Sequence, residues 1–203
     1  MMNLIEKATI IHYHRHRICE YSDGAVRSLG WKGEESQRKR FEVIATAGNL
    51  DGCTLLDIGC GYGDLKGYLD QNYSGFTYIG IDQMPEFIAE AKKRYVGRPA
   101  TYFYQTDFAA VEFPEVDYVI ASGALAYRCQ NVGFHFEMIR KMYTAAGRAV
   151  AFNILDVACF PEHDLLIGHD LERVVAFCQQ LSHRVEVISG YLEDDFTVFM
   201  YRR

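Results

Sequence analysis

The chain has 203 residues, 49% apolar and 24% charged, which suits one domain with a full core. Its net charge of -6 argues against binding along a nucleic-acid backbone, which needs a basic face; the dense basic runs at 14–17 and 38–40 are short. No apolar run approaches the ~20 residues that cross a bilayer, no signal-peptide core opens the chain, and the six cysteines contain no Cys-x-x-Cys pair, so a cytoplasmic, reducing location is expected.

In chain order, helices are expected over 3–20 and 33–48, the second with Phe41, Ile44 and Ala45 on one side. Then come strand 53–57, helix 64–72, strand 77–82, helix 85–95, strands 101–105 and 116–122, helix 132–145 and strand 148–154. Such alternation implies a parallel sheet with helices on both faces. Helix 171–182 carries Leu171, Val174, Val175, Cys178 and Leu181 at three- to four-residue spacing. Two alternating stretches, 184–191 and 196–201, then read as an antiparallel hairpin. No repeat or linker interrupts the chain. It is read as a single domain over 1–203, with an N-terminal helical lid over 1–48 and an α/β core over 49–203.

The most informative stretch is Leu55-Leu-Asp-Ile-Gly-Cys-Gly-Tyr-Gly-Asp. A short apolar strand ends in Asp57, glycines follow at 59, 61 and 63, and a helix begins at Asp64. Glycine permits backbone conformations closed to other residues and lets a ligand approach the chain. Strand, glycine loop and helix in that order cradle a nucleotide-like ligand at the mouth of a parallel sheet. A dinucleotide fingerprint needs a third glycine at position 64, counted from Gly59, or 66, counted from Gly61; the chain has Asp64 and Lys66 there. Cys60 lies where the loop needs a small residue and reads as packing, not as a nucleophile. Asp82 ends the run Tyr-Ile-Gly-Ile-Asp, where a carboxylate can accept from ribose hydroxyls. Capping of the helix at Pro85 is the competing reading of Asp82.

The Asp-x-Gly-x-Gly-x-Gly spacing resembles the first motif of the class I methyltransferases that use S-adenosylmethionine. By that resemblance, the backbone from Gly59 through Cys60 to Gly61 touches the methionine and ribose parts. Asp57 would fix the loop and the ligand's amino group, Asp82 would hold the ribose, and Gln83 would lie near the adenine edge. Asp107 would accept from the adenine amino group, with Phe108 packed near the ring. Ser122, Gly123 and Ala124, after the fourth strand, would line the methyl-transfer side. The family's sheet also closes with a helix and an inserted antiparallel strand, so the resemblance implies a Rossmann-like, doubly wound, seven-stranded sheet. It covers residues 40 to 155 well and the remainder by architecture.

Methyl transfer is an in-line displacement that mainly needs alignment and exclusion of water, so no loud catalytic motif is required. Substrate-pocket candidates are Trp31, Tyr127, His135 and Asn153, the last at the end of the fifth strand. Arg38 is a candidate for the methionine carboxylate through its planar fork. The Leu-Gly-Trp at 29–31 and the Ser-Gln-x-x-Arg-Phe from Ser36 resemble segments of small bacterial methyltransferase-domain proteins, which draws attention to Trp31, Ser36 and Arg38. His12 and His16 share a helix face, but two histidines leave a metal site short of ligands, and none is expected. Methyl transfer from S-adenosylmethionine to a small-molecule oxygen or nitrogen acceptor is the expected function. A nicotinamide-dependent oxidoreductase and a non-catalytic S-adenosylmethionine-binding module are the alternatives. Acceptor identity and oligomeric state are left open.

Overall fold

The computed structural model describes residues 2–21 and 26–202. Helix α1 (Leu4–Tyr21) and a 3-10 turn at Val26–Leu29 lead to α2 (Glu34–Ile44). The expected helix over 33–48 thus ends early, tightening into a 3-10 turn at Ala45–Ala47. Strand β1 (Thr54–Ile58) enters the glycine loop and α3 (Asp64–Leu69). Then follow β2 (Thr77–Asp82), α4 (Pro85–Arg94), β3 (Thr101–Gln105) and β4 (Val116–Ala121). The chain continues through α5 (Phe134–Ala145), β5 (Ala146–Leu155), α6 (Leu171–Leu181), β6 (Arg184–Ser189) and β7 (Asp195–Tyr201).

The sequence chemistry explains several ends. Pro85 opens α4, where its missing N–H costs nothing. Lys92, Lys93 and Arg94 complement the dipole of that helix's last turn. Asp170 caps α6, its side chain accepting from the Arg173 amide at 2.8 Å.

The seven strands form one sheet in the order β3-β2-β1-β4-β5-β7-β6. The pairs from β3 to β5 are parallel, and β7 lies antiparallel between β5 and β6. The terminal hairpin is therefore present, with its second strand inserted. Central β1 and β4 are buried almost throughout, as expected for strands covered on both faces. On one face Leu56, Ile58, Val119 and Phe152 pack with Met138, Ile139 and Met142 of α5. On the other, Leu55, Tyr78 and Ile120 pack with Leu65, Leu69, Ile88 and Ala91. Phe41 and Ile44 of α2 join this second cluster with Ala149, Ala151 and Phe199. The α2 segment is thus built onto the sheet, while Ile10 and Met2 fasten the start of the chain to the opposite cluster. Between β3 and β4 the described chain forms turns and no helix, and Tyr102 and Tyr104 are left half exposed on the edge strand. No helix among the described residues is long and apolar enough to cross a membrane.

Candidate functional site

β1 delivers the chain to the carboxyl edge of the sheet, where Gly59, Gly61 and Gly63 all take left-handed φ, at 72°, 55° and 78°. All three are needed for space as well, a Cβ on Gly63 falling 2.8 Å from Phe103 Cζ. A Cβ on Gly59 would lie 2.6 Å from the Ala124 Cβ, and one on Gly61 would lie 2.7 Å from Leu29 Cδ2. The Gly59 and Cys60 amides donate to the Ile81 carbonyl at 2.8 and 3.1 Å, which ties the loop to the end of β2. Asp82 sits there, its Oδ2 accepting from the Gly61 amide at 3.0 Å and its Oδ1 from the Met84 amide at 2.8 Å. It makes no capping bond to α4. Burial pushes the Asp82 carboxyl up to about 6 against the pull of these amides. Asp57 lies behind the loop and accepts from the Tyr78 hydroxyl; burial pushes it up to about 7.

These groups face a cleft that opens at the carboxyl edge of the sheet. Asp57, Gly59, Cys60, Gly61, Asp82 and Gln83 line one half of it. Phe108, Ser122, Tyr127, Asn153 and Trp31 also line it, so most of the expected residues converge on one space. The ends of β1, β2, β4 and β5 supply them, which is where open α/β sheets hold ligands.

Four expected residues stand elsewhere. Arg38 points out of the cleft with its side chain 57% exposed and pairs with Glu42, one turn on along α2. Arg40 lies on the inner face instead, buried, with its guanidinium 4.8 Å from the Trp31 ring centroid. Residues two apart on a helix face nearly opposite ways, so only one of the two arginines can point into the cleft. Asp107 is drawn outward by Lys7, whose Nζ lies 2.5 Å from its Oδ2, although neighbouring Phe108 lines the cleft. His135 is buried behind the wall, with Nε2 at 2.9 Å from the Tyr127 carbonyl and its ring 4.4 Å from that of His169. Ser36 is spent on the α2 backbone, its Oγ donating to the Gly33 carbonyl.

The amino-terminal segment is fastened to the rim by paired groups the sequence does not announce. His14 Nε2 lies 2.5 Å from the Tyr127 hydroxyl and its Nδ1 3.2 Å from the Ser28 carbonyl. A carbonyl can only accept, so Nδ1 carries the proton and Nε2 accepts from Tyr127. Burial pushes the His14 imidazole down to about 4, so it stays neutral at neutral pH. Ser28 meets Tyr62 of the glycine loop at 2.9 Å, and Gln37 donates to Asp64 at 3.0 Å. Arg40 pairs with Asp195, and Lys32 with Asp194. The one available signal for Arg40 was that it, and not Arg38, is the arginine of Ser-Gln-x-x-Arg-Phe.

Comparison with known proteins places these features. The methyltransferase-domain family matches over residues 55–147, from β1 to the start of β5. A Mycobacterium tuberculosis protein named as a methyltransferase, with no acceptor stated, is 36% identical over 110 residues, 52% of this chain and 64% of that one. A trans-aconitate 2-methyltransferase of Acidovorax ebreus is 27% identical over 154 residues, 75% of this chain and 57% of that one. The chain thus spans about three fifths of these curated relatives. Among solved structures, the magnesium protoporphyrin IX methyltransferase of Synechocystis with bound SAH superposes with a TM-score of 0.72 at 18% identity, covering 97% of this chain and 100% of that one. The N-methyltransferase NodS of Bradyrhizobium japonicum, also with SAH, gives 0.68 at 16% identity over 94% and 97%. At these identities the superpositions speak for the fold.

Proposed function

We propose that this chain is an S-adenosylmethionine-dependent methyltransferase, which binds S-adenosylmethionine in the cleft and transfers its methyl group to a small molecule. The single observation that carries this reading is the pairing of the left-handed glycine loop with Asp82, joined through the Gly61 amide. That pairing presents a carboxylate to a ribose diol and bare backbone to the rest of the ligand. In this reading Gln83 lies at the adenine edge and Phe108 packs against the ring. Asp57 holds the loop, and Gly59 to Gly61 face the methionine part. Asp107 reaches adenine only by leaving Lys7. Arg40 takes the place expected for Arg38 near the methionine carboxylate.

The described residues of the segment over 1–48 close the cleft as a lid that also belongs to the core. The enzyme's task is to align donor and acceptor and to exclude water. Several relatives are named for trans-aconitate and one structural neighbour for a porphyrin, so a small-molecule acceptor suits the cleft. No observation favours the nicotinamide alternative: position 64 is the Asp that binds Gln37, and β7 is inserted antiparallel.

Thermal unfolding with S-adenosylhomocysteine, and with NADH as control, tests the reading. Binding to the native state at a hundredfold excess over Kd adds roughly 2.7 kcal/mol. A rise in Tm with S-adenosylhomocysteine alone is expected; a rise with NADH alone would overturn it.

A further inference from the structure

We propose that the acceptor half of the cleft seats an amine, as its alkylammonium, on Asp194, in the place the Lys32 ammonium occupies. The proposal rests on the methyltransferase reading and deepens it to a substrate class.

Asp194 immediately precedes β7 and lies beside the end of β5, its carbonyl accepting from the Asp156 amide at 3.1 Å, and it lines the cleft. Its side chain is 11% exposed, yet its Oδ2 holds the Nζ of Lys32, 2.7 Å away, whose side chain is 76% exposed. A surface lysine therefore reaches inward over the rim and places an alkylammonium on a withdrawn carboxylate. Pairs with so exposed a member are weak, so another ammonium can displace this one. Oδ1 of Asp194 takes no hydrogen bond from any described residue.

A second observation is independent of that pair. Ser122 Oγ donates to Asn153 Oδ1 at 2.8 Å, and Asn153 Nδ2 donates to Thr197 Oγ1 at 2.7 Å and to the Tyr191 hydroxyl at 3.3 Å. Thr197 and Tyr191 meet at 2.8 Å, and Tyr191 donates to Asp195, which Arg40 holds. The anion fixes the polarity of the chain. Tyr191 must give its proton to Asp195, so its oxygen accepts from Thr197 and Asn153. A flipped Asn153 amide would set its oxygen against that of Tyr191. The Ser122 hydrogen is therefore committed to Asn153, and Ser122 offers the cleft only lone pairs.

Both features ask for a hydrogen-bond donor. The charges agree: Lys32 and Arg40 answer Asp194 and Asp195, Arg94 answers Asp64, and Asp82 is left over, with Asp57 titrating near 7. A polycarboxylate acceptor would meet surplus negative charge and acceptor-only groups, which disfavour it. Trp31, Ile154, Phe160 and Leu166 give the rest of the acceptor an apolar wall. In the reaction the ammonium first loses a proton to water at the open mouth. The nitrogen lone pair then forms the N–C bond as the C–S bond breaks, with its electron pair going to sulfur. The products are an N-methylammonium, S-adenosylhomocysteine and the released proton.

The test titrates 2-phenylethylamine and its opposite-charge counterpart 3-phenylpropionate into protein saturated with S-adenosylhomocysteine. The amine is expected to bind saturably and the carboxylate not. Asp194→Asn should weaken the amine by about tenfold or more with S-adenosylhomocysteine affinity unchanged, which also verifies folding. Lys32→Gln should tighten it, because a competing ammonium is gone. Absence of saturable amine binding, an amine affinity indifferent to Asp194→Asn, or carboxylate binding that Lys32→Gln weakens would each overturn the proposal. Failure of S-adenosylhomocysteine to bind would instead strike the methyltransferase reading. The same amine titration into unloaded protein still reads the Asp194 seat.

Discussion

Arg40 of α2 and Asp195 at the head of β7 form an ion pair 155 positions apart in the chain, with side chains only 8% and 2% exposed and Nη2 2.7 Å from Oδ2. The pair joins the amino-terminal segment to the last strand across the cleft. It also anchors the hydrogen-bond chain that ends on Ser122.

Removing one member of such a buried pair leaves the other charge uncompensated. Arg40→Ala and Asp195→Asn should each destabilise the protein by about 3–5 kcal/mol, read from urea unfolding midpoints. The double variant should lose clearly less than the sum of the singles, because the stranded charge disappears. Additive losses would show that the two residues act separately.

Asp57 should make stability fall as pH rises. Its carboxyl titrates near 7 in the native state against 3.8 as its ordinary value. The native state therefore holds the proton more tightly, and that stabilisation, present in full below 3.8, is lost as pH climbs to about 7. The term is on the order of 4 kcal/mol. Asp57→Asn keeps an oxygen for Tyr78 and should flatten the curve between pH 6 and 7. Asp82 and Asp195, both raised to about 6, leave a slope below pH 6. An unchanged slope above pH 6 in the variant would contradict this assignment.

Gly59→Ala should abolish S-adenosylhomocysteine binding and cost roughly 2–4 kcal/mol, from overpacking against Ala124 and the left-handed backbone together. Adding Ala124→Gly removes the overlap and should return part of the stability. No recovery would mean that the backbone alone sets the cost.

Much of the sheet was legible because its signals are local. The apolar run into glycines at 59, 61 and 63, the acidic end of β2, and the two alternating stretches at the carboxyl end each fix one element or turn without distant partners. Boundaries shifted by a few residues where 3-10 turns relaxed helix ends, as at Ala45–Ala47. The far wall of the cleft was less legible. Arg38 and Arg40 sit in one basic run, and only docking of Phe41 and Ile44 on β5 and β7 decides which one turns inward. Asp107 was displaced by Lys7, a partner 100 positions earlier, and Asp194 reads as one acid among three in a loop. His135 looked exposed to the cleft in sequence, but the first turn of α5 buries it against His169.

The most direct measurement of the central claim is a calorimetric titration of S-adenosylhomocysteine into the protein and into Asp82→Asn, from pH 5 to 8. One saturable site is expected in the parent protein. Affinity should rise with pH through about 6, as Asp82 ionises, and level off above it. In Asp82→Asn, binding should be weak and lack that dependence. Absence of binding by the parent, or equal binding by the two proteins at every pH, would contradict the assignment of the glycine loop and Asp82 to S-adenosylmethionine.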